Sequence, residues 1–161
     1  MYELNDTILA VSSPTSAGRV IVRLSGTGTI GLLNEFFAPS PIKRSRCITG
    51  GRLRVDRQLD IDASVYLFPA PHSYTGQDVG EIHIYANNSV IETLLKNFLS
   101  SAVTSVRLAG PGEFTARAYL NGKMDLSQAE AVNEIIVSTN TWQLQASQKL
   151  LAGRLTETTR T

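Results

Sequence analysis

The residue pattern changes near residue 121, and this change limits the folds that the chain can adopt. Before it, short runs rich in β-branched residues alternate with helical patterns, separated by clusters of Pro, Gly, Ser and Asp. After it, residues 125–155 contain no proline and one glycine, and apolar residues recur at helical spacing. The sequence predicts an α+β domain with a mixed sheet over residues 1–121, followed by the start of an α-helical domain over residues 122–161.

Five runs in the first domain are typical of strands: TILAV, RVIVRL, SVYLF, VGEIHIY and SVRL. Residues 27–37 and 88–99 carry apolar residues at spacings of three and four, which predicts two amphipathic helices. Asn88 or Ser89 is the predicted N-cap of the second helix.

The second domain has a helical pattern with nothing in this sequence to cover it. The pattern predicts one long helix, or two helices with a break near residues 138–141. A helical pair cannot easily bury its apolar stripe alone. We therefore expect its partners to come from a second chain or from sequence outside these 161 residues.

The charge balance argues against a large nucleic-acid surface, because 15 basic and 14 acidic residues give a formal charge of +1. Residues 42–57 are locally basic, with six Lys or Arg and one Asp. This stretch is either an RNA or phosphate contact or a solvated hairpin. The hairpin is favoured, because no aromatic residues interleave the charges as a base-stacking surface requires.

Several other classes of function are excluded or disfavoured. The single Cys47 excludes an intrachain disulfide and a multi-cysteine metal site, so we expect no metal. No apolar run reaches the about 18 residues of a membrane helix, and the N-terminus lacks a secretion signal, so we expect a cytoplasmic protein without a membrane partner. The sequence has no phosphate-binding G-x-x-x-x-G-K-[ST] motif, and neither histidine belongs to a recognisable catalytic dyad, so we predict no catalytic residue.

Three residues are candidates for chemistry. Arg23 shares one side of its strand with Ile21, which we expect to be the core side, where an arginine needs an anionic or polar partner. Glu81 is either an edge-strand glutamate in water or a carboxylate that accepts paired N–H donors from a heterocycle. Lys123 is either a ligand contact or a cation favoured at a helix C-terminus.

Three blocks of sequence resemble the N-terminal domain of the tRNA modification GTPase family called MnmE or TrmE. They are DTILAVSSPTSAGRVIVRLSG, FPAPHSYTGQDVGEIHIY and GPGEFTARAYLNGKMDLSQAEAV. The resemblance implies a fold related to the folate-binding aminomethyltransferase of glycine cleavage, and a homodimer that binds a tetrahydrofolate derivative, 5-formyl or 5,10-methylene. It maps the folate contacts onto Arg23, Glu81 and Lys123. Glu81 would pair with the amino-pyrimidine edge of the pterin, and the two cations would meet carbonyl oxygens or the glutamate tail.

In the complete family protein, the resemblance implies an inserted GTPase domain that uses GTP, Mg²⁺ and K⁺. It also implies a flavoprotein partner, MnmG or GidA, and an aminomethyl-type modification of the wobble uridine of tRNA. Whether this chain is itself an enzyme is left open by its sequence. Two alternatives remain: a stand-alone folate-dependent one-carbon transferase, and a dimerisation scaffold without a ligand. The scaffold is favoured by SPTSAGR and YANN, which replace the family's glycine-rich PPGRGG and HGG segments.

Overall fold

The computed structural model describes residues 5–13, 18–40, 42–137, 145, 147, 148, 151 and 152. Contacts divide the chain into two units, Met1–Gly110 and Pro111–Thr161. The first unit holds a mixed sheet with helices, and the second holds helices. The predicted α+β fold is confirmed, and the boundary at residue 121 stays a prediction.

The first unit contains a seven-stranded sheet. Its strands are β1 Thr7–Val11, β2 Arg19–Ser25, β3 Phe37–Ala38, β4 Cys47–Arg54, β5 Asp60–Phe68, β6 Val79–Tyr85 and β7 Val106–Leu108. Their order is β3-β4-β5-β6-β2-β1-β7, and every neighbouring pair is antiparallel except the parallel pair of β1 and β7. Strand β6 therefore lies inside the sheet, hydrogen-bonded on both sides.

One face of the sheet forms the core with two helices, α1 Thr29–Phe36 and α2 Asn88–Leu99. Val20, Val22 and Leu24 alternate along β2 and are completely buried against this core. Phe36 of α1 and Phe98 of α2 meet edge to face, with ring centroids 4.8 Å apart. Burying side chains of this size stabilises the fold by about 1.5–3 kcal/mol each. The alternation leaves the intervening residues of β2 on the opposite face of the sheet.

Glycine lets α1 lie close to the sheet at the start of β6. A Cβ at Gly80 would lie 3.0 Å from Leu33 Cδ1 and 3.2 Å from Thr29 Cγ2. Gly80 faces the helix, whereas its neighbour Glu81 points to the other side of the sheet. The helix α1 thus packs directly against the strand that carries Glu81, on the face opposite to the Glu81 side chain.

The N-cap of α2 differs from the prediction. Asn87 is the cap, and its side chain accepts a 3.0 Å hydrogen bond from the backbone N–H of Val90. The predicted Asn88 and Ser89 lie in the first turn instead, because the N-cap residue has an extended backbone, and that residue is Asn87, with φ −84° and ψ 171°.

The basic stretch forms a hairpin with the strand that follows. Strands β4 and β5 pair from Cys47 opposite Leu67 to Arg54 opposite Asp60. Asp56 makes the turn, since its Oδ1 accepts from the N–H groups of Gln58 and Leu59. Four of the arginines have partners within the chain: Arg44 with Asp78, Arg46 with the Phe68 ring, Arg52 with Asp62, and Arg54 with the carbonyl of Glu35. These contacts account for much of the stretch without a nucleic acid.

The second unit begins with α3 Glu113–Leu120 and continues with α4 Leu126–Val137. Asp125 and Gln128 form a capping box at the start of α4: each side chain accepts from the backbone N–H of the other, at 2.8 and 2.9 Å. In α4, Leu126, Ile136 and Val137 are more than half exposed. The predicted break near residues 138–141 lies outside the described residues. Among the described helices, none is long and apolar enough to cross a membrane.

Candidate functional site

Two of the predicted site residues meet at the centre of the sheet. Arg23 of β2 stands directly opposite Glu81 of β6 in the antiparallel register, although they are 58 residues apart in sequence. Arg23 donates from Nε at 2.9 Å and from Nη2 at 2.7 Å, and both bonds reach Glu81 Oε1. The anionic partner that the sequence predicted for Arg23 is therefore Glu81.

The prediction that Arg23 lies on the core side was wrong. The core side of β2 carries Val20, Val22 and Leu24, and Arg23 lies on the opposite face. Arginine is tolerated there because its side chain remains 34% exposed. The pair is thus placed where a ligand can reach it from solvent.

Glu81 is not an edge-strand glutamate in water. It lies on an interior strand, and its side chain is 19% exposed. Its second oxygen, Oε2, lies 3.3 Å from Nε2 of His83, two residues along the same strand. A carboxylate offers about four acceptor positions, of which Arg23 takes two and His83 one. One acceptor position on Oε2 remains for another donor.

The ion pair contributes little to the stability of the fold. It is partly exposed, and ion pairs of this kind contribute about 0–1 kcal/mol. The strands beneath it are held by their ladder and by the buried core, so the pair is not needed to hold β2 beside β6. A charged pair on rigid interior strands is a suitable arrangement for recognising a polar ligand.

His83 connects Glu81 to two more side chains on the same face. Its other ring nitrogen, Nδ1, is hydrogen-bonded to Nη2 of Arg19. The Tyr66 ring of β5 stacks on the imidazole with centroids 4.2 Å apart and an interplanar angle of 28°. Tyr66 stands directly opposite Glu81 across the β5–β6 pair. We call this group the sheet-face cluster; it consists of Arg19, Arg23, Tyr66, Glu81 and His83.

The loop of residues 69–78 leads into the strand of Glu81 and is bonded to the end of β2. Asp78 closes the loop, because its buried Oδ1 accepts a 2.8 Å bond from the N–H of Ala70. Thr75 is completely buried and bonds at 2.7 Å to Ser25, two residues along β2 from Arg23. The block FPAPHSYTGQDVGEIHIY therefore encodes one continuous piece, a closed loop followed by the strand of Glu81.

The third predicted site residue, Lys123, lies in the second unit at the C-terminus of α3. Gly122 adopts a left-handed φ of 68°. The N–H of Lys123 bonds to the carbonyl of Ala118 at 2.8 Å, and the N–H of Gly122 bonds to that of Tyr119 at 3.0 Å. These two bonds define a Schellman motif, which explains the Asn-Gly-Lys sequence and fixes where the Lys123 backbone leaves the helix.

One segment that departs from the family pattern folds without glycine. YANN ends β6 with Tyr85 and begins α2 with the cap Asn87, whose φ is −84°. Among the described residues, every residue with positive φ is a glycine. The strand-to-helix connection is therefore made without backbone strain. In SPTSAGR, residues 14–17 lie outside the described residues.

Sequence reasoning missed the roles of His83, Arg19 and Tyr66. The period-two alternation of VGEIHIY puts His83 on the face of Glu81, and Arg19 lies four residues before Arg23 on one side of β2. Both patterns can be read from the sequence. No sequence pattern indicates Tyr66, because only the pairing of β5 with β6 brings it to the cluster. Among the described residues, no three His, Cys, Asp or Glu side chains are grouped so that they could hold a metal ion.

The fold and the cluster define an α+β domain that carries a polar site on the interior strands of its sheet. Residues 7–123 match the family model described as GTP-binding protein TrmE N-terminus. The chain belongs to this family, the N-terminal domain of the tRNA modification GTPases, as its sequence predicted.

Its curated relatives include proteins named tRNA modification GTPase MnmE. The chain is 37% identical over 156 residues to the protein of Aquifex aeolicus (strain VF5), a match that covers 96% of the chain and 34% of the relative. It is 41% identical over 158 residues to the protein of Bradyrhizobium sp. (strain BTAi1), with the same two coverages. It is 39% identical over 158 residues to that of Syntrophus aciditrophicus (strain SB), covering 94% and 34%. The chain spans about a third of the length of these relatives.

Proposed function

We propose that this chain is the folate-binding and dimerisation module of a tRNA modification GTPase. The observation that carries the proposal is the Arg23–Glu81 pair, which places a carboxylate with a remaining acceptor position on a rigid strand at a partly exposed sheet face. A carboxylate in this setting suits a planar heterocycle with adjacent N–H donors, such as the amino-pyrimidine edge of a pterin. When bound, a reduced folate supplies the one-carbon unit.

Glu81 must change partners to accept two parallel N–H groups. Oε2 has one acceptor position left, and Arg23 uses both positions of Oε1. At least one Arg23 bond is therefore released on binding. The released guanidinium then meets a carbonyl oxygen or a carboxylate of the ligand, because its planar fork suits both groups.

Lys123 is the third proposed folate contact, on the strength of its place in the block LNGKMDL. A lysine acts as a point charge on a flexible stem, which suits the carboxylates of the glutamate tail. Its position after a Schellman motif gives the backbone a defined exit from α3.

Homodimerisation is proposed for a separate reason. The exposed apolar residues of α4 lie on a helix that buries only Ala131 among its described side chains. Isologous two-fold association is the commonest closed assembly, and we expect the sheet domain to contribute much of the interface.

For the complete protein we propose that a further domain binds GTP, Mg²⁺ and K⁺. We also propose a flavoprotein partner (MnmG or GidA), modification of the wobble uridine of tRNA, and a cytoplasmic location.

The test is calorimetric titration of the chain with 5-formyltetrahydrofolate. A parallel titration with p-aminobenzoyl-glutamate, which has the tail but no pterin, measures how much of the affinity comes from the tail. We expect saturable binding of the folate and at least tenfold weaker binding of the fragment, because the carboxylate recognises the pterin edge. No heat of binding with the folate at millimolar concentration contradicts the proposal and favours the ligand-free scaffold.

A further inference from the structure

The His83 side chain is largely buried, and both of its ring nitrogens have a charged neighbour. Its side chain is 12% exposed, although it lies on the sheet face away from the helical core. The next residue on that face of β6, Tyr85, is exposed. Both ring nitrogens of His83 face a charged side chain: Arg19 on one side and Glu81 on the other.

These two neighbours determine where the ring carries its proton. A guanidinium only donates hydrogen bonds, so Nδ1, which faces Arg19, must accept and carries no proton. A carboxylate paired with an arginine only accepts, so Nε2, which faces Glu81 Oε2, must donate. The arrangement specifies the neutral imidazole with its proton on Nε2.

The ring is also held in its plane. Tyr66 stacks on it at 4.2 Å, and Tyr66 is itself fixed opposite Glu81 by the β5–β6 ladder. With one nitrogen bonded to Arg19 and one face covered by Tyr66, the imidazole has little freedom to rotate. Its N–H therefore points at Oε2 from a fixed direction.

We propose that His83 is a positioning residue for the Glu81 carboxylate. It holds Oε2 in place while Oε1 exchanges Arg23 for a donor of the ligand, so the carboxylate keeps its orientation when its ion pair opens. This inference deepens the proposed function and rests on it for the ligand, but the tautomer and the contact with Glu81 belong to the free chain. Without the His83–Glu81 hydrogen bond, the site should bind the folate more weakly, although every residue that contacts the ligand is still present.

The first experiment needs no ligand. Long-range ¹H–¹⁵N NMR of the imidazole nitrogens distinguishes the two neutral tautomers, and the only other histidine in the sequence, the exposed His72, serves as an internal reference. We expect His83 to show the Nε2–H form in the wild type and in Glu81→Ala, where Arg19 still faces Nδ1, and a mixture of tautomers only when Arg19 and Glu81 are both replaced by alanine. Glu81→Ala should shift the Nε2 proton resonance, because that proton loses its acceptor. A wild-type signal from the Nδ1–H form, or an unchanged Nε2 proton resonance in Glu81→Ala, overturns the proposal whether or not folate binds.

The second experiment measures 5-formyltetrahydrofolate affinity in matched variants. His83→Phe keeps the ring volume and the stack on Tyr66 but removes both hydrogen bonds, and His83→Gln keeps a donor near Nε2. We expect about tenfold weaker binding for His83→Phe and recovery to within about threefold for His83→Gln. In a Glu81→Ala background, His83→Phe should change the affinity less than about twofold.

A purely structural His83 gives a different result. His83→Phe would then weaken binding equally in both backgrounds, His83→Gln would not recover it, and the melting temperature would fall in parallel. Failure of the wild type to bind folate would contradict the proposed function, and the tautomer measurement would still decide the role of His83.

Discussion

Replacing Glu81 by alanine should separate ligand binding from folding. On the folding side, the lost interactions are a partly exposed ion pair and one bond to His83. Screened pairs of this kind contribute about 0–1 kcal/mol. For a chain of this size, about 1 kcal/mol shifts the melting temperature by roughly 2–4 °C. We therefore expect a folded Glu81→Ala protein with a melting temperature within a few degrees of the wild type.

On the binding side, the loss is larger. Hydrogen bonds to a charged group contribute about 1.5–3 kcal/mol each, and two are expected between Glu81 and the pterin edge. Releasing an Arg23 bond in the wild type offsets part of this gain. Since about 1.4 kcal/mol corresponds to tenfold in affinity, even one net bond predicts at least tenfold weaker binding of 5-formyltetrahydrofolate.

The assay combines calorimetry with thermal melts followed by circular dichroism. Asp62→Ala is the matched control, because Asp62 forms an arginine–carboxylate pair on the same face of the sheet but is 90% exposed and lies outside the sheet-face cluster. The control should bind folate like the wild type. Equal affinity of Glu81→Ala and wild type refutes the role of Glu81, and unfolding of Glu81→Ala shows that the residue is structural.

Four further predictions concern the other site residues, GTP, the oligomeric state and the end of α3. Arg23→Ala and Lys123→Ala should weaken folate binding less than Glu81→Ala if they meet a solvent-exposed tail, by about 0–1 kcal/mol in calorimetric titrations. The chain should neither bind nor hydrolyse GTP, since its sequence has no phosphate-binding loop, and micromolar binding of a fluorescent GTP analogue would contradict this. Light scattering at tens of micromolar should give the mass of a dimer, and a monomer mass would refute the proposed association. Gly122→Ala should lower the free energy of unfolding by about 1–2 kcal/mol in urea titrations, because the Schellman motif needs a residue in the left-handed conformation. Gly122→Asn should lower it less, and equal stability of Gly122→Ala and wild type would show that the motif is dispensable.

Local elements of the fold were predictable because their signals are local. The alternation in VGEIHIY and the helical spacing in residues 88–99 correspond to β6 and α2. The two-residue strand β3 carries too few residues for any periodicity. The N-cap of α2 was displaced by one residue, since adjacent asparagines give the same capping signal and only the turn geometry selects Asn87.

The site was predictable residue by residue but not as an arrangement. Arg23 and Glu81 were each identified, and the need of Arg23 for an anionic partner was deduced. That the partner is Glu81 depends on β2 lying beside β6, and strand order is set by the whole sheet rather than by either strand. The buried side of β2 is the face on which α1 and α2 pack, and the alternation of Val20, Val22 and Leu24 marks that face in the sequence. The expected core side of Arg23 was wrong because it followed Ile21 instead.

The parallel pairing of β1 with β7 has a consequence for how the chain is made. Residues 7–9 have their outer neighbour at residues 106–108, so a ribosome adds about a hundred residues after β1 before β7 exists. At about 5–20 residues per second, that interval is on the order of 5–20 s. During it, the apolar TILAV strand can present an unpaired edge, the kind of surface at which nascent chains associate wrongly. Contacts of such long sequence separation also slow folding. The last strand of the sheet, only three residues long, thus closes an edge that the first strand leaves open while the residues between them are made.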